Sequence, residues 1–279
     1  MRCSQYYYYY LLLLLLLSLG FFAALQAENQ QYDPQNRLLP ENYERSRVLS
    51  DSAMPELYDS KLGKLLMRYY NKGLGGIEQW AQVKSIKMKG TIVTEDGQWD
   101  YESIAKKPNM LKFRIFKYRE ELEITTNGVQ VWRKSPTQTE AVLVDPDSAL
   151  AKEIIHDSVF FSFLLFPFES GKTISYLGTG REEGQLCHII RVELEEGFSL
   201  DYYIDVQSYK EIKVIQINDD LGPNGSTIVF SDYREVEGLQ LPFKVTTLKG
   251  GQQLTHLQID AATLNVGVFK WMFNLGTEF

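Results

Sequence analysis

The chain has 279 residues, of which 44% are apolar and 23% are charged, so it is long enough for one or two globular domains with a sizeable core. Its formal net charge is −7, and the sequence contains no concentrated run of Lys and Arg. Because binding to nucleic-acid phosphates requires such basic clusters, this composition argues against a nucleic-acid partner.

The first 27 residues have the pattern of an export signal. An apolar run from Tyr6 to Leu25 follows the basic residue Arg2. The small residue Ala27 comes two positions after the run, just before a polar stretch. The run has about 20 residues, which is also long enough for a retained membrane anchor. Its tyrosine half suits a membrane interface, however, and the strongly apolar part, residues 11–25, is closer in length to the hydrophobic region of a signal peptide. We therefore expect cleavage after Ala27, with a retained anchor as the alternative.

The two cysteines refine this interpretation. Cys3 precedes the apolar run, and no cysteine stands at the cleavage point, so the leader does not have the pattern of a lipoprotein signal. Removal of the leader would leave Cys187 as the single thiol, and no intramolecular disulfide could form. We expect Cys187 to be a free, buried side chain.

The rest of the chain reads as one domain with a polar lead-in. Residues 28–55 are polar and punctuated by proline, which is typical of a loosely structured segment. Apolar residues at helical spacing predict a first helix from Glu56 to Tyr70, ended by Gly73. No long internal linker follows, so we assign residues 56–279 to a single domain.

Beyond the first helix the pattern changes to the alternation of β-strands. Five predicted strands between residues 83 and 135 form an antiparallel meander, in which Asn127-Gly128 is a strong hairpin signal. A second helix is predicted over residues 145–166, because Asp145 and the residues after it have capping chemistry and Pro167 ends the segment. Its carboxy-terminal half is apolar all round, so it should be buried on more than one face.

Six further strands are predicted between residues 185 and 264, preceded by a glycine-containing loop at residues 178–184. The predicted fold class is therefore mainly β (α+β), with about eleven strands and two helices. A sheet of that size must curl to cover its apolar face, and the buried second helix is the natural cover. Such an arrangement either packs solidly or encloses an apolar cavity, and the periodicity of the sequence leaves both open.

The sequence contains no pattern typical of catalysis. His156, His188 and His256 fall on separate predicted elements without metal-ligand spacing, so we expect no metal site. Cys187 and His188 are neighbours on a strand and point to opposite faces, so they cannot act together as nucleophile and base. The sequence therefore offers no convincing active site.

Residues 97–136 resemble the periplasmic outer-membrane lipoprotein carrier family (LolA/LolB-like). The matching features are Lys107-Pro108-Asn109, the strand from Met110 to Tyr118, and the Asn127-Gly128 hairpin that carries Trp132. Three further stretches are similar to the family's opening helix-to-strand passage and to its later hairpins, so that the resemblance covers most of the chain after residue 56: 73–93, 203–214 and 233–247.

The resemblance implies an unclosed antiparallel β-barrel with helices as a lid, which encloses an apolar cavity for the acyl chains of lipoproteins. It also implies a periplasmic protein without enzymatic activity or cofactor. Two features depart from the family. Lys107 stands where the carriers have arginine, which keeps the charge but loses the planar fork that can bridge several carbonyls. The carboxy-terminal residues 265–279 lack the proline-containing tail of the dedicated carriers.

These observations together predict a periplasmic carrier that transfers lipoprotein or lipid acyl chains towards the outer membrane. Lys107 is the predicted gating residue, and we expect a monomer with transfer partners at the inner and outer membranes. The alternative is an envelope sensor or scaffold of the same fold, anchored by an uncleaved leader. The predicted cavity lining, whose members could instead be ordinary core residues, comprises Ile86, Met88, Ile92, Trp99, Leu111, Phe113, Ile115, Trp132, Phe160, Phe161 and Leu164.

Overall fold

The computed structural model describes residues 44–45, 60–136, 138–165, 172–194, 198–218 and 226–275. The predicted leader, the start of the first predicted helix at residues 56–59, and most of the lead-in lie outside these residues, so the proposed domain boundaries stay predictions. No helix within the described ranges combines the length and the apolar character needed to cross a bilayer.

The alternating segments of the chain assemble into one antiparallel sheet of fourteen strands among the described residues. The strand order is β1-β8-β9-β10-β11-β12-β13-β14-β2-β3-β4-β5-β6-β7, so β1 and β7 lie at the two edges and the sheet does not close. The predicted fold class, a mainly β protein with an unclosed antiparallel sheet, is confirmed. The strands are β1 (Glu44–Arg45), β2 (Ser85–Thr94), β3 (Gly97–Lys106), β4 (Met110–Lys117), β5 (Glu120–Thr126), β6 (Val131–Lys134), β7 (Val142–Leu143), β8 (Lys172–Glu182), β9 (Gln185–Leu194), β10 (Phe198–Asp205), β11 (Glu211–Asn218), β12 (Ser226–Val236), β13 (Leu239–Lys249) and β14 (Gln252–Leu264).

The prediction of about eleven strands missed β1, β7 and β8. The first two have only two residues each, too few for a detectable alternation. The third, β8, includes most of the segment that was predicted as a glycine loop. A bulge at Gly178 interrupts its alternation, and Glu183-Gly184, both with positive φ, make the tight turn into β9. That part of the prediction was wrong because a bulged hairpin has the glycine content of a loop.

Within the described part of the chain, three α-helices cover the sheet. Helix α1 (Lys61–Arg68) begins at Ser60, whose Oγ accepts a hydrogen bond from the backbone N–H of Gly63, and it continues as a π-helical turn over Tyr69–Gly73. Helix α2 (Ile77–Gln82) follows and was not predicted separately. Helix α3 is Ala149–Asp157. A short 3-10 helix, Lys270–Phe273, comes after the last strand.

The second predicted helix was too long, because α3 ends at Asp157 and not near Pro167. After the helix the chain turns irregularly through residues 158–165, and Phe161 has a φ of +74°, which an α-helix cannot contain. Side chains satisfy the backbone of this segment. The Tyr70 hydroxyl donates to the carbonyl of Leu164 at 2.6 Å, and Lys172 Nζ donates to that of Phe163 at 3.0 Å. An irregular segment can therefore be buried here.

The apolar residues form two clusters on the inner face of the sheet. The larger cluster joins α1, the π-helical turn, α2 and residues 160–165 to strands β8–β14, and its most buried members include Trp80, Tyr69 and Leu66. The smaller cluster joins β2–β6 to α3 through residues such as Ile115 and Ile154. The inner face is thus covered at two places, first by the amino-terminal helices and then by the segment from α3 to residue 165.

Candidate functional site

A cavity of about 300 Å³ lies between the inner face of the sheet and the turn segment that follows α3. Its volume is at the lower end of the range of small-molecule sites, roughly 300–1,000 Å³. Most of its lining is aliphatic or aromatic. The lining residues are Ile92, Tyr101, Leu111, Phe113, Asp157, Val159, Phe161, Ser162, Phe163, Leu200, Tyr202, Glu211, Val214, Ile228, Phe230, Val245, Thr247, Thr255 and Leu257.

The register of the sheet explains how residues so distant in sequence meet at this cavity. One cross-strand row runs from Phe230 through Val245 and Leu257 to Ile92. A second row runs through five strands, from β10 to β14. Its members are Tyr202, Val214, Ile228, Thr247 and Thr255. Because neighbours in such a row share one face, the two rows form a continuous wall.

Four of the eleven predicted lining residues border the cavity, namely Ile92, Leu111, Phe113 and Phe161. The others are packed elsewhere. Ile86, Phe160 and Leu164 belong to the larger core cluster and Met88 packs against it, whereas Trp99 and Ile115 belong to the smaller cluster. Trp132 is buried on β6, opposite Thr125 and Leu143 of the adjacent strands.

Sequence reasoning missed the wall that β10–β14 contribute and two acidic groups in the lining. The alternation of apolar residues predicts each of these strands, but nothing in the sequence indicates that β14 pairs with β2 and so brings them to the same cavity. The signal for Asp157 was an acid within the apolar run EIIHDSVFF. The second acid, Glu211, was hidden by the geometry of its strand.

A bulge brings Glu211 into the cavity. Val214 points inward, so strict alternation along β11 would place Ile212 inward and Glu211 outward. Lys213, however, pairs with Tyr203 while Glu211 pairs with Ile204, so one extra residue on β11 reverses the faces. Glu211 is consequently 5% exposed. This reversal is why the alternating pattern gave no indication of an inward acid.

Glu211 is buried but well supplied with donors. Its Oε1 accepts hydrogen bonds from the hydroxyl of Tyr69 and, at 3.2 Å, from Ser162 Oγ. Burial raises the pKa of its carboxyl to about 7, and these two hydrogen bonds oppose the rise. Burial, together with the nearby Glu211, also raises the pKa of Tyr69 well above its ordinary value, so this phenol remains a donor.

Asp157 is buried with fewer partners. Its Oδ1 lies 2.9 Å from Nδ1 of His156, whereas its Oδ2 has no hydrogen-bond partner among the described residues. Its side chain is 9% exposed. Burial raises the pKa of this carboxyl to about 6, against the opposing effect of His156. The cavity therefore has an apolar wall that carries two acidic groups.

Lys107, the predicted gating residue, does not line the cavity but connects the elements around it. Its Nζ donates to the backbone carbonyls of Trp80, at 2.7 Å, and Ala81, at 3.4 Å, close to the end of α2. The same ammonium lies 5.5 Å from the ring centroid of Phe160, which belongs to the segment of residues 158–165 after α3, here called the cover segment. One side chain therefore contacts both covers of the sheet.

The motifs that resemble the carrier family meet in space. Asn109, at the β3–β4 turn, faces the β5–β6 hairpin, where a Cβ added to Gly128 would lie 2.2 Å from Asn109 Oδ1. Gly128 has a φ of +89°, which favours glycine. Asn127 Oδ1 accepts hydrogen bonds from the backbone N–H groups of Val129 and Gln130 and closes the turn. These residues therefore fix the geometry of two adjacent hairpins.

The groups that could support catalysis are dispersed. His188 on β9 contacts Tyr176, and His256 on β14 contacts Thr246, whereas His156 lies on α3. Across the parts of the chain that the structure describes, no group of three or more His, Cys, Asp or Glu residues could hold a metal ion. Cys187 is fully buried, and burial, with Asp205 and Glu182 nearby, raises the pKa of its thiol.

No protein-family model matches this chain, and no curated protein matches it in sequence. Solved structures do match. A DUF1329 family protein from Desulfovibrio piger superimposes with a TM-score of 0.56 at 10% identity, over 79% of this chain and 97% of that one. This level of similarity establishes a shared fold.

Two weaker matches have titles that relate to lipoprotein sorting. One is a domain assigned to outer membrane lipoprotein sorting from Vibrio parahaemolyticus, with a TM-score of 0.49 at 12% identity over 71% of this chain and 94% of that one. The other is a LolA superfamily protein from Nitrosomonas europaea, with a TM-score of 0.48 at 8% identity over 76% and 96%.

Proposed function

We propose that this protein binds acyl chains of lipids or lipoproteins in its cavity and carries them across the periplasm towards the outer membrane. The observation that supports the proposal is the cavity of about 300 Å³ between the inner face of the sheet and the segment after α3. Burial of an acyl chain contributes roughly 0.8 kcal/mol per methylene and requires no directional contacts. A site of this kind therefore needs apolar walls and no catalytic motif.

The cover segment gives the cavity a means of opening. Residues 158–165 have irregular backbone and depend on side chains from elsewhere, such as Tyr70 and Lys172, for part of their hydrogen bonding. Phe161 contributes its ring to the cavity from a backbone conformation with positive φ. Such conformations cost about 1–3 kcal/mol, and strained residues cluster at ligand clamps. We infer that this segment moves when a chain enters or leaves.

Lys107 would stabilise the closed arrangement. Its ammonium joins the carbonyls near the end of α2 to the ring of Phe160, so displacement of the cover segment would break the contact with Phe160. The role is the one expected from the resemblance for the basic residue at this position. Lysine fills this role with single hydrogen bonds from its ammonium, whereas arginine would use its planar guanidinium group.

The leader fits the same function, because a carrier has to leave the membrane in order to exchange cargo. We propose that the segment up to Ala27 is removed on export and that the mature protein is periplasmic. Amino-terminal sequencing of protein recovered from bacterial envelopes tests this step. A mature start at Glu28 is expected, whereas a retained leader would favour the anchored sensor or scaffold.

Native mass spectrometry of protein purified from a bacterial envelope tests acyl-chain binding. We expect additional masses of a lipid or lipoprotein that are released on denaturation. A delipidated sample should recover them from vesicles made of the same envelope lipids. Protein that carries no lipid mass from cells and acquires none from vesicles would contradict the proposal.

A further inference from the structure

The chain that follows β14 crosses one end of the sheet. Asn265 donates its backbone N–H to the carbonyl of Ser85, at the start of β2, over 2.8 Å. Farther along, Asn274 Oδ1 accepts a hydrogen bond of 2.8 Å from Asn127 Nδ2 in the β5–β6 hairpin. Between these two attachments the 3-10 helix lies against β4. Residues 265–275 therefore pass over the ends of strands β2–β5, and we call them the rim segment.

Two aromatic side chains of the rim segment face solvent. Val268 and Phe273 are buried and attach the segment to the sheet, whereas Phe269 and Trp271 between them are 63% and 57% exposed. The two exposed rings stack, with their centroids 6.3 Å apart and their planes 8° from parallel. Val129, in the hairpin to which the segment is attached, is 73% exposed. Large apolar side chains that are exposed together typically mark a contact with a protein or a membrane.

The charged residues in and beside the rim segment are basic. The stretches that form this end of β2–β5 contain no Asp or Glu, although the whole chain has a formal net charge of −7. These stretches are residues 84–85, 106–110, 126–131 and 264–275. They contain four lysines, of which the first and the last are exposed: Lys84, Lys106, Lys107 and Lys270.

The surroundings differ from this basic and aromatic region. Acids at the same end of the sheet lie on other elements, namely Glu78 of α2, Glu237 of the β12–β13 turn and Asp145 after β7. The opposite ends of β2–β5 are mainly acidic. Their exposed residues include Glu95, Asp96, Tyr118, Arg119 and Glu120. The positive charge and the exposed rings are therefore concentrated at one end of these strands.

An anionic bilayer matches this combination of side chains. Aromatic rings, above all those of tryptophan, are favoured at the interface of a bilayer, and lysines beside them are attracted to anionic headgroups. We propose that the rim segment docks the protein on an anionic phospholipid surface, with Phe269 and Trp271 in the headgroup region and the lysines facing the phosphates. The inference goes beyond the proposed function, because docking requires no cargo in the cavity.

Sedimentation with vesicles tests docking, with protein recovered from bacterial envelopes. Vesicles of phosphatidylcholine that contain phosphatidylglycerol should bind the protein at least tenfold more tightly than vesicles of phosphatidylcholine alone, since each lysine near an anionic surface contributes about fivefold. Raised salt should abolish this difference.

The fluorescence of Trp271 gives a second measurement. The other three tryptophans, Trp80, Trp99 and Trp132, are at most 4% exposed, so a change of emission on binding is assigned to Trp271. We expect its emission to shift to shorter wavelength on anionic vesicles. Lipids brominated near the headgroup end of their acyl chains should quench it.

Two double variants locate the contact. Phe269→Ala with Trp271→Ala should lower the affinity for anionic vesicles at least tenfold, because two rings no longer leave water. Lys84→Gln with Lys270→Gln should lower the affinity for anionic vesicles by about tenfold or more and leave that for neutral vesicles unchanged.

Matched controls lie at the opposite end of the same strands. Tyr118→Ala removes an aromatic ring and Arg119→Gln removes a positive charge, both from exposed positions in the β4–β5 turn. Each control should bind anionic vesicles as the unaltered protein does. Circular dichroism establishes that all variants are folded.

The outcomes separate this inference from the proposed function. Protein that does not sediment with anionic vesicles, or that still binds them in both double variants, would overturn docking by the rim segment. Equal affinity for neutral and anionic vesicles would overturn it as well, because the lysines would then contribute nothing. Lipid masses in native mass spectrometry from protein that does not dock would retain the carrier and reject the docking surface. Docking by protein that never carries lipid would do the reverse.

Discussion

The two covers of the sheet have similar apolar sequences and different packing. The amino-terminal cover, α1 to α2, is packed solidly, and Tyr69, Tyr70 and Trp80 are at most 1% exposed. The second cover, from α3 to residue 165, places Phe160 and Leu164 in the core but Phe161 and Phe163 at the cavity. The second cover also brings an acid, Asp157. Hydrophobicity alone therefore does not distinguish a core from a ligand site, whereas buried polar groups do.

Truncation should separate the solidly packed amino-terminal cover from the cavity wall most strongly. Trp80→Ala removes a fully buried indole from the solid region and should lower the free energy of unfolding by about 3–5 kcal/mol. Leu257→Ala, in the wall of the cavity, should cost about 1–2 kcal/mol, because part of that side chain already faces empty space. Urea denaturation measures both values. Equal losses would mean that the cavity wall is as tightly packed as the solid region.

The acids of the cavity should make stability depend on pH in a direction unusual for carboxyls. The pKa of Glu211 is about 7 in the folded protein and 4.5 is its ordinary value, so the native state retains a proton that the unfolded chain loses. The contribution is full below about pH 4.5 and is lost as the pH rises through 7. Unfolding free energy should therefore fall, by an amount on the order of 2 kcal/mol, between about pH 5 and 8.

Glu211→Gln should remove the larger part of this slope, and Asp157, with a pKa of about 6, should account for a smaller part. Urea titrations at several pH values provide the measurement. Glu95→Gln, at an exposed turn position, is the control and should retain the slope of the unaltered protein. A Glu211→Gln protein with the full slope would contradict the assignment.

A larger side chain in the wall should affect binding more than stability. Val245 lies between Phe230 and Leu257 in the cross-strand row, so Val245→Phe directs a ring into the cavity. We expect affinity for methyl dodecanoate to fall at least tenfold, with a change in unfolding free energy below about 1.5 kcal/mol. Val129→Phe, on an exposed hairpin, should leave affinity unchanged. Undiminished binding by Val245→Phe would place the ligand elsewhere.

The smallest effect is expected at the contact that joins the two covers. Lys107→Met removes the hydrogen bonds to the carbonyls near the end of α2 but keeps an apolar stem of similar length. Loss of one or two such bonds corresponds to about 1 kcal/mol, so ligand dissociation should accelerate about fivefold in stopped-flow dilution. Lys107→Arg should dissociate no faster than the unaltered protein. Equal rates for the Met and Arg variants would exclude a gating role.

The sequence was sufficient to predict eleven of the fourteen described strands, because alternation is a local property that each of these strands carries by itself. It was also sufficient for the Asn127-Gly128 hairpin, whose turn needs a positive φ at Gly128. It failed where local pattern and tertiary structure diverge. The apolar run at residues 159–165 looks helical, yet Tyr70 and Lys172 satisfy its carbonyls in an irregular path.

The candidate site was less predictable than the fold for a related reason. The strand pairing that unites Phe230, Val245, Leu257 and Ile92 is long-range, and no single segment contains it. The bulge that turns Glu211 inward adds one residue to β11, so residues before the bulge point to the face opposite to the one that the alternation predicts. Among these residues, only Asp157 has a recognisable local pattern in the sequence, because it is an acid with apolar neighbours.

The buried thiol of Cys187 allows the opening of the sheet to be measured as a labelling rate. It lies on β9, is protected from solvent, and would be the only sulfhydryl of a chain from which the leader with Cys3 has been removed. A thiol reagent could then react only when the surrounding strands separate, so its rate reports the frequency of opening in that region of the sheet. Occupancy of the cavity could then be measured as slower labelling of Cys187, without a probe attached to the ligand.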